Sequence, residues 1–176
     1  MGSKDGLTKK PGLPVTRGRT VAKMTTRITF AAVTAAMIVS GIALAAPVGP
    51  DDVKFSDHQV DASLTGAPGD PAAGRVAFAD RKLGNCLACH ANSDLSDQLF
   101  HGEVGPSLDG VADRYSPVEL RAIVVDSKHV FGPDTVMPGF YSLHVGADVD
   151  EEFAGQTILT AEQVEDVVAY LSTLKE

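Results

Sequence analysis

Tryptophan is absent from this chain of 176 residues, and aromatic residues together make up only 6% of it. Cysteine is also scarce, because two residues are too few for a small domain held together by disulfides. The formal net charge of −8 excludes a nucleic-acid binder that works by neutralising phosphates. The length suits one domain, and with so little aromatic bulk we expect another large apolar group to help fill its core.

The charge is distributed unevenly along the chain. Residues 1–45 contain seven basic side chains and one acidic side chain, whereas residues 46–176 contain eight basic and 22 acidic ones, a difference of −14. The basic start is followed by an uncharged run, residues 28–46, which contains Ala43-Leu44-Ala45. This is the pattern of a cleaved secretory signal peptide, with Met24 as an alternative start, and it predicts a periplasmic protein. A retained membrane anchor is the alternative, because the run has 19 residues.

The motif Cys86-Leu87-Ala88-Cys89-His90 carries the chemistry of the remaining chain. C-x-x-C-H is the attachment signature of c-type haem: each thiol adds to a haem vinyl group, and the histidine becomes the proximal iron ligand. The alternatives are a disulfide of an exported thiol oxidoreductase, and a zinc site, which needs two more ligands. The motif therefore predicts one covalently bound haem c, held by Cys86 and Cys89 and ligated by His90.

The second axial ligand is argued by elimination. Residues 46–176 contain one methionine, Met137, and it lies in the loop Thr135-Val136-Met137-Pro138-Gly139-Phe140. A proline- and glycine-stiffened loop suits a ligand better than a core position, and a thioether ligand raises the reduction potential. Histidine is the alternative ligand. His144 is the best-placed rival because it follows the loop closely; the others, interpreted as solvated surface groups, are His58, His101 and His129.

Three helices are predicted, and no convincing alternating strand competes with them except an ambiguous piece around Val145, so the fold class is all-α. The first helix has Asp70 as N-cap and extends to about Lys82, with Val76, Ala77 and Phe78 facing partly inward. The second begins at the capping box of Ser116 and ends near Asp126. The last begins at the capping box of Thr160 and carries an apolar stripe of Val164, Val167, Val168, Leu171 and Leu174. Residues 46–69 lack a sustained period and are predicted to be an extended arm or linker before the domain of residues 70–176.

Residues 70–176 resemble class I cytochrome c. Besides C-x-x-C-H, the resemblance rests on the loop Gly105-Pro106-Ser107-Leu108-Asp109-Gly110 and the terminal string Val167-Val168-Ala169-Tyr170-Leu171. It implies three main helices and loops around one covalent haem. It also implies that the Pro106 carbonyl accepts the His90 N–H and that Leu108 lies against the porphyrin. Finally, it implies that Gly74 lets the first and last helices cross, with Phe78 and Tyr170 packed there.

A narrower resemblance, to SoxX, covers roughly residues 64–176. It is carried by the segments GNCLACH (84–90), GPSLDGVADRY (105–115), LRAIVVD (120–126) and PDTVMPGFY (133–141). The resemblance implies a heterodimer with a SoxA-like cytochrome, which acts as an L-cysteine S-thiosulfotransferase and couples thiosulfate oxidatively to a cysteine of the carrier SoxYZ. It also implies that this subunit accepts the electrons and passes them to a downstream cytochrome.

The residues agree with that division of labour, and no catalytic residue is predicted in this chain. Haem attachment uses both thiols, and an iron with histidine and methionine ligands has no open position for substrate. Three cations, Arg114, Arg121 and Lys128, either face an anion channel or a partner, or are ordinary solvated charges. Two other functions are open: a free electron shuttle of the class I type, and a haem sensor in which a gas displaces Met137.

Overall fold

Five α-helices form the frame of the computed structural model, which describes residues 46–146 and 148–176. They are α1 (Pro71–Ala79), α2 (Val111–Arg114), α3 (Pro117–Val125), α4 (Ser127–Phe131) and α5 (Ala161–Leu171). Short 3-10 turns cover Pro50–Asp52, Cys86–Ala88 and Ser93–Leu95. Among the described residues the only β pairing is an isolated bridge between Ser56 and Gln59, and Val145 lies in a bend, so the all-α class is confirmed.

The predicted signal peptide or anchor, residues 1–45, lies outside the described residues. Within the part of the chain that the structure describes, no helix is long and apolar enough to cross a membrane.

The predicted helix starts are confirmed by their capping contacts. The Asp70 carboxylate accepts the Ala72 N–H at 2.8 Å, ahead of the turn that Pro71 opens. At the start of α3, the Glu119 carboxylate accepts the Ser116 N–H at 2.8 Å. At the start of α5, Thr160 and Gln163 exchange a reciprocal pair of such bonds (Gln163 N–H to Thr160 Oγ1 and Thr160 N–H to Gln163 Oε1).

Helix α1 is shorter than predicted, and one of its predicted inward residues is exposed. It ends at Ala79 rather than Lys82, because Asp80 takes an extended backbone conformation. Val76 is 64% exposed, since a helix brings positions 74, 77 and 78 to one face and turns position 76 away from it. The apolar stripe of α5 is buried as predicted, although Leu174 follows the end of the helix.

The crossing of α1 and α5 places the two helix backbones in contact. A Cβ atom added at Gly74 would overlap the Asp166 carbonyl and come within 2.9 Å of the Tyr170 Cβ. One turn further along, the rings of Phe78 and Tyr170 meet edge to face, with centroids 5.5 Å apart. The helix crossing expected from the cytochrome c resemblance is therefore confirmed, together with its glycine and its aromatic pair.

Residues 46–69 do not form a free linker but pack against the helices. Val60 and Leu64 are buried at 2% and 1% exposure. Arg121 of α3 and Glu165 of α5 form a buried bidentate ion pair, with N–O distances of 2.8 and 2.9 Å. The same pair binds the arm, because Arg121 donates to the Val60 carbonyl and Glu165 accepts the Leu64 N–H. Main-chain contacts of this kind leave no hydrophobic period in the sequence.

Candidate haem-binding site

A largely apolar cavity of about 730 Å³ lies among the helices. Its lining includes side chains from all five helices, with Phe78 of α1 and Val167 of α5 among them. The structure brings all six sequence-predicted site residues to this one cavity: Cys86, Cys89, His90, Pro106, Leu108 and Met137. None of the other four histidines, all of which are described, is among the lining residues.

The two cysteines are held one turn apart by a tight backbone turn. The N–H groups of Cys89 and His90 both bond to the Cys86 carbonyl, at 3.1 and 3.0 Å. Burial raises the pKa of the Cys86 thiol to about 12. A thiol oxidoreductase needs the opposite shift, because the thiolate is its nucleophile. The environment therefore argues against the disulfide alternative and suits a thiol that ends as a thioether.

The His90 imidazole has a fixed orientation and tautomer. Its Nδ1 donates to the Pro106 carbonyl at 2.7 Å, which is the contact that the sequence predicted. Because Nδ1 carries the hydrogen, the lone pair is on Nε2, the nitrogen free to bind a metal. Gly105 lies against the ring so closely that a Cβ atom there would overlap it.

The loop that carries Pro106 is braced by polar contacts on its outer side. Asp109 accepts the Ser93 N–H at 2.7 Å and the Ser93 hydroxyl at 2.9 Å. These bonds, the backbone one first, lower the pKa of the Asp109 carboxyl. Arg114 donates to the carbonyls of Asp109 and Ser107, at 2.7 and 2.8 Å. Arg114 therefore stabilises this loop, although Arg114 is exposed to solvent.

Met137 is half-buried on a loop that returns the chain from α4 to α3. The N–H groups of Phe140 and Tyr141 bond to the carbonyls of Val124 and Val125, each at 3.1 Å, and close the loop at its far end. Met137 packs against the apolar core and reaches the cavity. This arrangement delivers a thioether to the cavity from an element far in sequence from the cysteines.

The two remaining cations that were candidates for an anion channel both make internal hydrogen bonds. Arg121 is 9% exposed and paired with Glu165, which contradicts both interpretations of it, a channel lining and a solvated charge. Lys128 donates from Nζ to the Thr135 carbonyl at 2.7 Å. The sequence shows that these residues are charged but not that the fold uses that charge internally.

The other histidines do not supply a rival ligand at the cavity. His58 is exposed, as predicted for a surface group. His144, which the sequence offered as the best-placed rival ligand, is also exposed and does not line the cavity. His101 is different: its Nδ1 accepts the Asn92 N–H at 3.2 Å, and its Nε2 donates to the Leu95 carbonyl at 3.0 Å. His129 stacks on the Phe55 ring, with a centroid distance of 4.1 Å.

Sequence reasoning missed an apolar rim around the cavity. Val104, Phe131 and Val136 line the cavity and are 70%, 52% and 78% exposed. Exposed apolar side chains grouped at one opening are typical of a protein contact. No motif marks them, because the three residues come from separate loops and a helix end.

The residues present fit a haem. The cavity is apolar, two thiols lie one turn apart on its wall, and an imidazole and a thioether reach it from different elements. Gly105 lets the backbone lie directly against the His90 ring, where a Cβ atom would overlap it. Each of these features is one that covalent haem binding with two axial ligands requires.

Comparisons with known proteins agree with this site. The family model described as cytochrome c matches residues 71–175. A chain of the crystal structure of SoxXA from P. pantotrophus is 42% identical to this one, with a TM-score of 0.68. That match covers 74% of this chain and 99% of the other. Among curated protein sequences, nothing matches.

Proposed function

The chain belongs to the cytochrome c family as a SoxX-like haem subunit with covalently bound haem c, and we propose that it accepts electrons from sulfur chemistry on a SoxA-like partner. The observation that carries this proposal is the 42% identity to a SoxXA chain over almost all of that chain's length. With that partner the protein forms a haem-containing heterodimer of sulfur oxidation.

The reaction we assign to the complex is that of an L-cysteine S-thiosulfotransferase. Thiosulfate and the cysteine thiol of a SoxYZ-like carrier form a sulfur–sulfur bond, and one proton and two electrons are released. Bound haem supplies a one-electron acceptor, so the electrons leave one at a time, towards a downstream cytochrome. This chain contributes no thiol to the reaction, because its two cysteines belong to the haem site.

The haem is held in this proposal by four side chains from two walls of the cavity. Cys86 and Cys89 would form the thioether bonds, and His90 would bind the iron through Nε2. Pro106 keeps that ring in place through the hydrogen bond at Nδ1. Leu108, half-buried at the cavity wall, would pack against the macrocycle, and Met137 would supply the second iron ligand.

The apolar rim of Val104, Phe131 and Val136 is the surface we assign to the partner contact. Electron transfer needs the partner close to the haem edge, and the three rim residues both line the cavity and are exposed to solvent. Residues 46–176 have a charge of −14, and Arg114, Arg121 and Lys128 all make internal bonds. Positive charge that gathers the thiosulfate anion therefore belongs to the partner.

We also propose a periplasmic location, on the basis of the leader sequence in residues 1–45. N-terminal sequencing of the protein from the periplasmic fraction tests it. A new N-terminus near Ala46 is expected, and an intact leader in the membrane fraction would contradict it.

The function is tested by mixing the protein with a SoxA-like subunit, a SoxYZ-like carrier and thiosulfate. We expect the near-infrared band of the oxidised iron–methionine haem to disappear only when all components are present. Val136→Asp, which places a charge on the rim, is expected to weaken complex formation. A monomer that never binds the SoxA-like subunit, and that several unrelated donors reduce directly, would support the free electron shuttle instead.

A further inference from the structure

The loop that carries Met137 is tied to the start of α4 by a buried hydroxyl. We call residues 132–139 the Met loop. The Ser127 Oγ lies 2.5 Å from the Met137 carbonyl oxygen and 3.2 Å from that of Pro138, and Ser127 is 0% exposed. The hydroxyl thus fastens the backbone of the ligand residue itself, from a helix ten residues earlier in the chain.

A second tie comes from the next residue of α4. The Lys128 ammonium group donates to the Thr135 carbonyl at 2.7 Å. A charged donor makes a stronger hydrogen bond than a neutral one. The two ties join the loop on both sides of Val136, so they act on the segment that presents the thioether.

The arm of residues 46–69 secures the chain just beyond the loop. The Tyr141 hydroxyl donates to the Val48 carbonyl at 2.7 Å, and the Val48 N–H bonds to the Leu64 carbonyl at 2.7 Å. Tyr141 is buried, and burial raises the pKa of its hydroxyl, which keeps it a donor. The far end of the loop is therefore anchored, and its freedom lies near Met137.

We propose that Ser127 and Lys128 are positioning residues that hold the Met loop closed, so that the Met137 thioether stays at the iron. The inference rests on the proposed function in taking Met137 as a haem ligand. Both bonds exist only with the loop closed; once it opens, water satisfies the same carbonyls. Removing the Ser127 hydroxyl takes this donor from the Met137 carbonyl in the closed form alone. The closed form loses a hydrogen bond that the open form never had, which raises the open fraction.

The test compares holoprotein variants by their affinity for an added iron ligand. Imidazole binds the oxidised haem only when the thioether has left, so its apparent dissociation constant follows the open fraction. For Ser127→Ala and Lys128→Met we expect imidazole to bind about tenfold more tightly, the change that the loss of one hydrogen bond produces. The near-infrared iron–methionine band is expected to weaken in parallel.

Ser172→Ala is the matched control. The Ser172 hydroxyl also donates to a backbone carbonyl, that of Val168, but at the end of α5 and away from the loop. A loss of stability without tighter imidazole binding is expected for this control. If Ser127→Ala and Lys128→Met behave like Ser172→Ala, their role is structural only and the proposal is wrong.

The outcomes also separate this inference from the proposed function. If Ser127→Ala fails to fold, Lys128→Met decides the question. Methionine preserves the apolar stem of the lysine, and position 128 is only half-buried, so this variant is expected to fold. A wild-type protein without the iron–methionine band would contradict the assignment of Met137. If the wild-type protein shows the iron–methionine band and both variants bind imidazole as the wild type does, only the positioning role of Ser127 and Lys128 is contradicted.

Discussion

The two walls of the cavity are built in different ways. The proximal wall, residues 86–108, is held by main-chain bonds, such as Gly105 N–H to the Cys89 carbonyl and Leu108 N–H to the Ala91 carbonyl. The distal wall, residues 127–141, relies on side chains that reach across the loop, above all the Ser127 hydroxyl and the Lys128 ammonium group. One wall is thus fixed mainly by its main chain, and the other mainly by side chains.

This difference has a functional consequence. Thioether bonds attach the haem permanently to the proximal wall, so that wall needs little else to hold it. In the proposed site, Met137 would have only a bond to the iron and the loop contacts to keep it in place. We therefore expect changes on the proximal wall to affect haem attachment and changes on the distal wall to affect ligand exchange.

The largest expected effect breaks the proximal wall. Exchange of both cysteines, Cys86→Ser with Cys89→Ser, removes the two attachment points and should abolish covalent haem completely. Haem staining after denaturing gel electrophoresis measures this. Haem that stays with the denatured double variant would show that attachment occurs elsewhere.

The next largest effect concerns the buried ion pair between Arg121 of α3 and Glu165 of α5. Glu165→Gln leaves Arg121 buried without its anionic partner and should lower the free energy of unfolding by about 3–5 kcal/mol. Urea unfolding of the holoprotein measures the change. The haem spectrum of the folded variant should be unaltered, because the pair binds the arm rather than the cavity. Glu162→Gln, on the exposed side of α5, is the control, and a loss of the same size there would contradict the prediction.

A smaller effect is expected at the contact between Gly105 and His90. In Gly105→Ala the new methyl group overlaps the imidazole, and displacing the ring should cost about 1–3 kcal/mol of stability. The electron paramagnetic resonance spectrum should show altered axial ligation. Gly146→Ala is the control, since its added Cβ meets no atom of the described residues closer than 3.8 Å. Equal behaviour of the two variants would mean that the proximal ring is not tightly held.

The smallest effect is a pH dependence of the proximal wall. The Ser93 bonds lower the pKa of Asp109 in the folded protein, so its contribution to stability is present above the ordinary carboxyl pKa. That contribution is lost as the pH falls through the lowered pKa, below about pH 4. On acidification, Asp109→Asn should therefore lose less of its free energy of unfolding than the wild type does. The difference should be less than about 1 kcal/mol. Asp134→Asn, an exposed change on the Met loop, is the control, and an equal or larger change in its acid unfolding would contradict the assignment.

The proximal wall was predictable from the sequence because its determinants are local. C-x-x-C-H indicates both the attachment and the ligand within five residues, and the Pro106 contact is what the resemblance of its loop to class I cytochrome c implied. Met137 was identified as the second ligand by elimination. Elimination names the residue but does not show which contacts hold its loop in place. Ser127 gave no signal, because a serine becomes a donor to Met137 only after the chain has folded back.

The sequence also did not show which charged side chains are buried. Arg121 carries the same charge as a solvated arginine, and only the packing of α3 against α5 shows that it meets Glu165. The arm likewise lacks a hydrophobic period, because its polar contacts with the helices are made by the main chain. The helix boundaries were predictable where capping residues mark them. The predicted end of α1 was too late in the chain, because no capping residue marks that end.

The most direct test of the account is the spectrum of Met137→Ala. If the distal wall supplies the second axial ligand, the variant keeps its covalent haem and loses the near-infrared iron–methionine band. The oxidised iron should then bind imidazole readily, and the reduced iron carbon monoxide. A variant with an unchanged spectrum and no gain in ligand binding would contradict the assignment and show that another residue binds the iron.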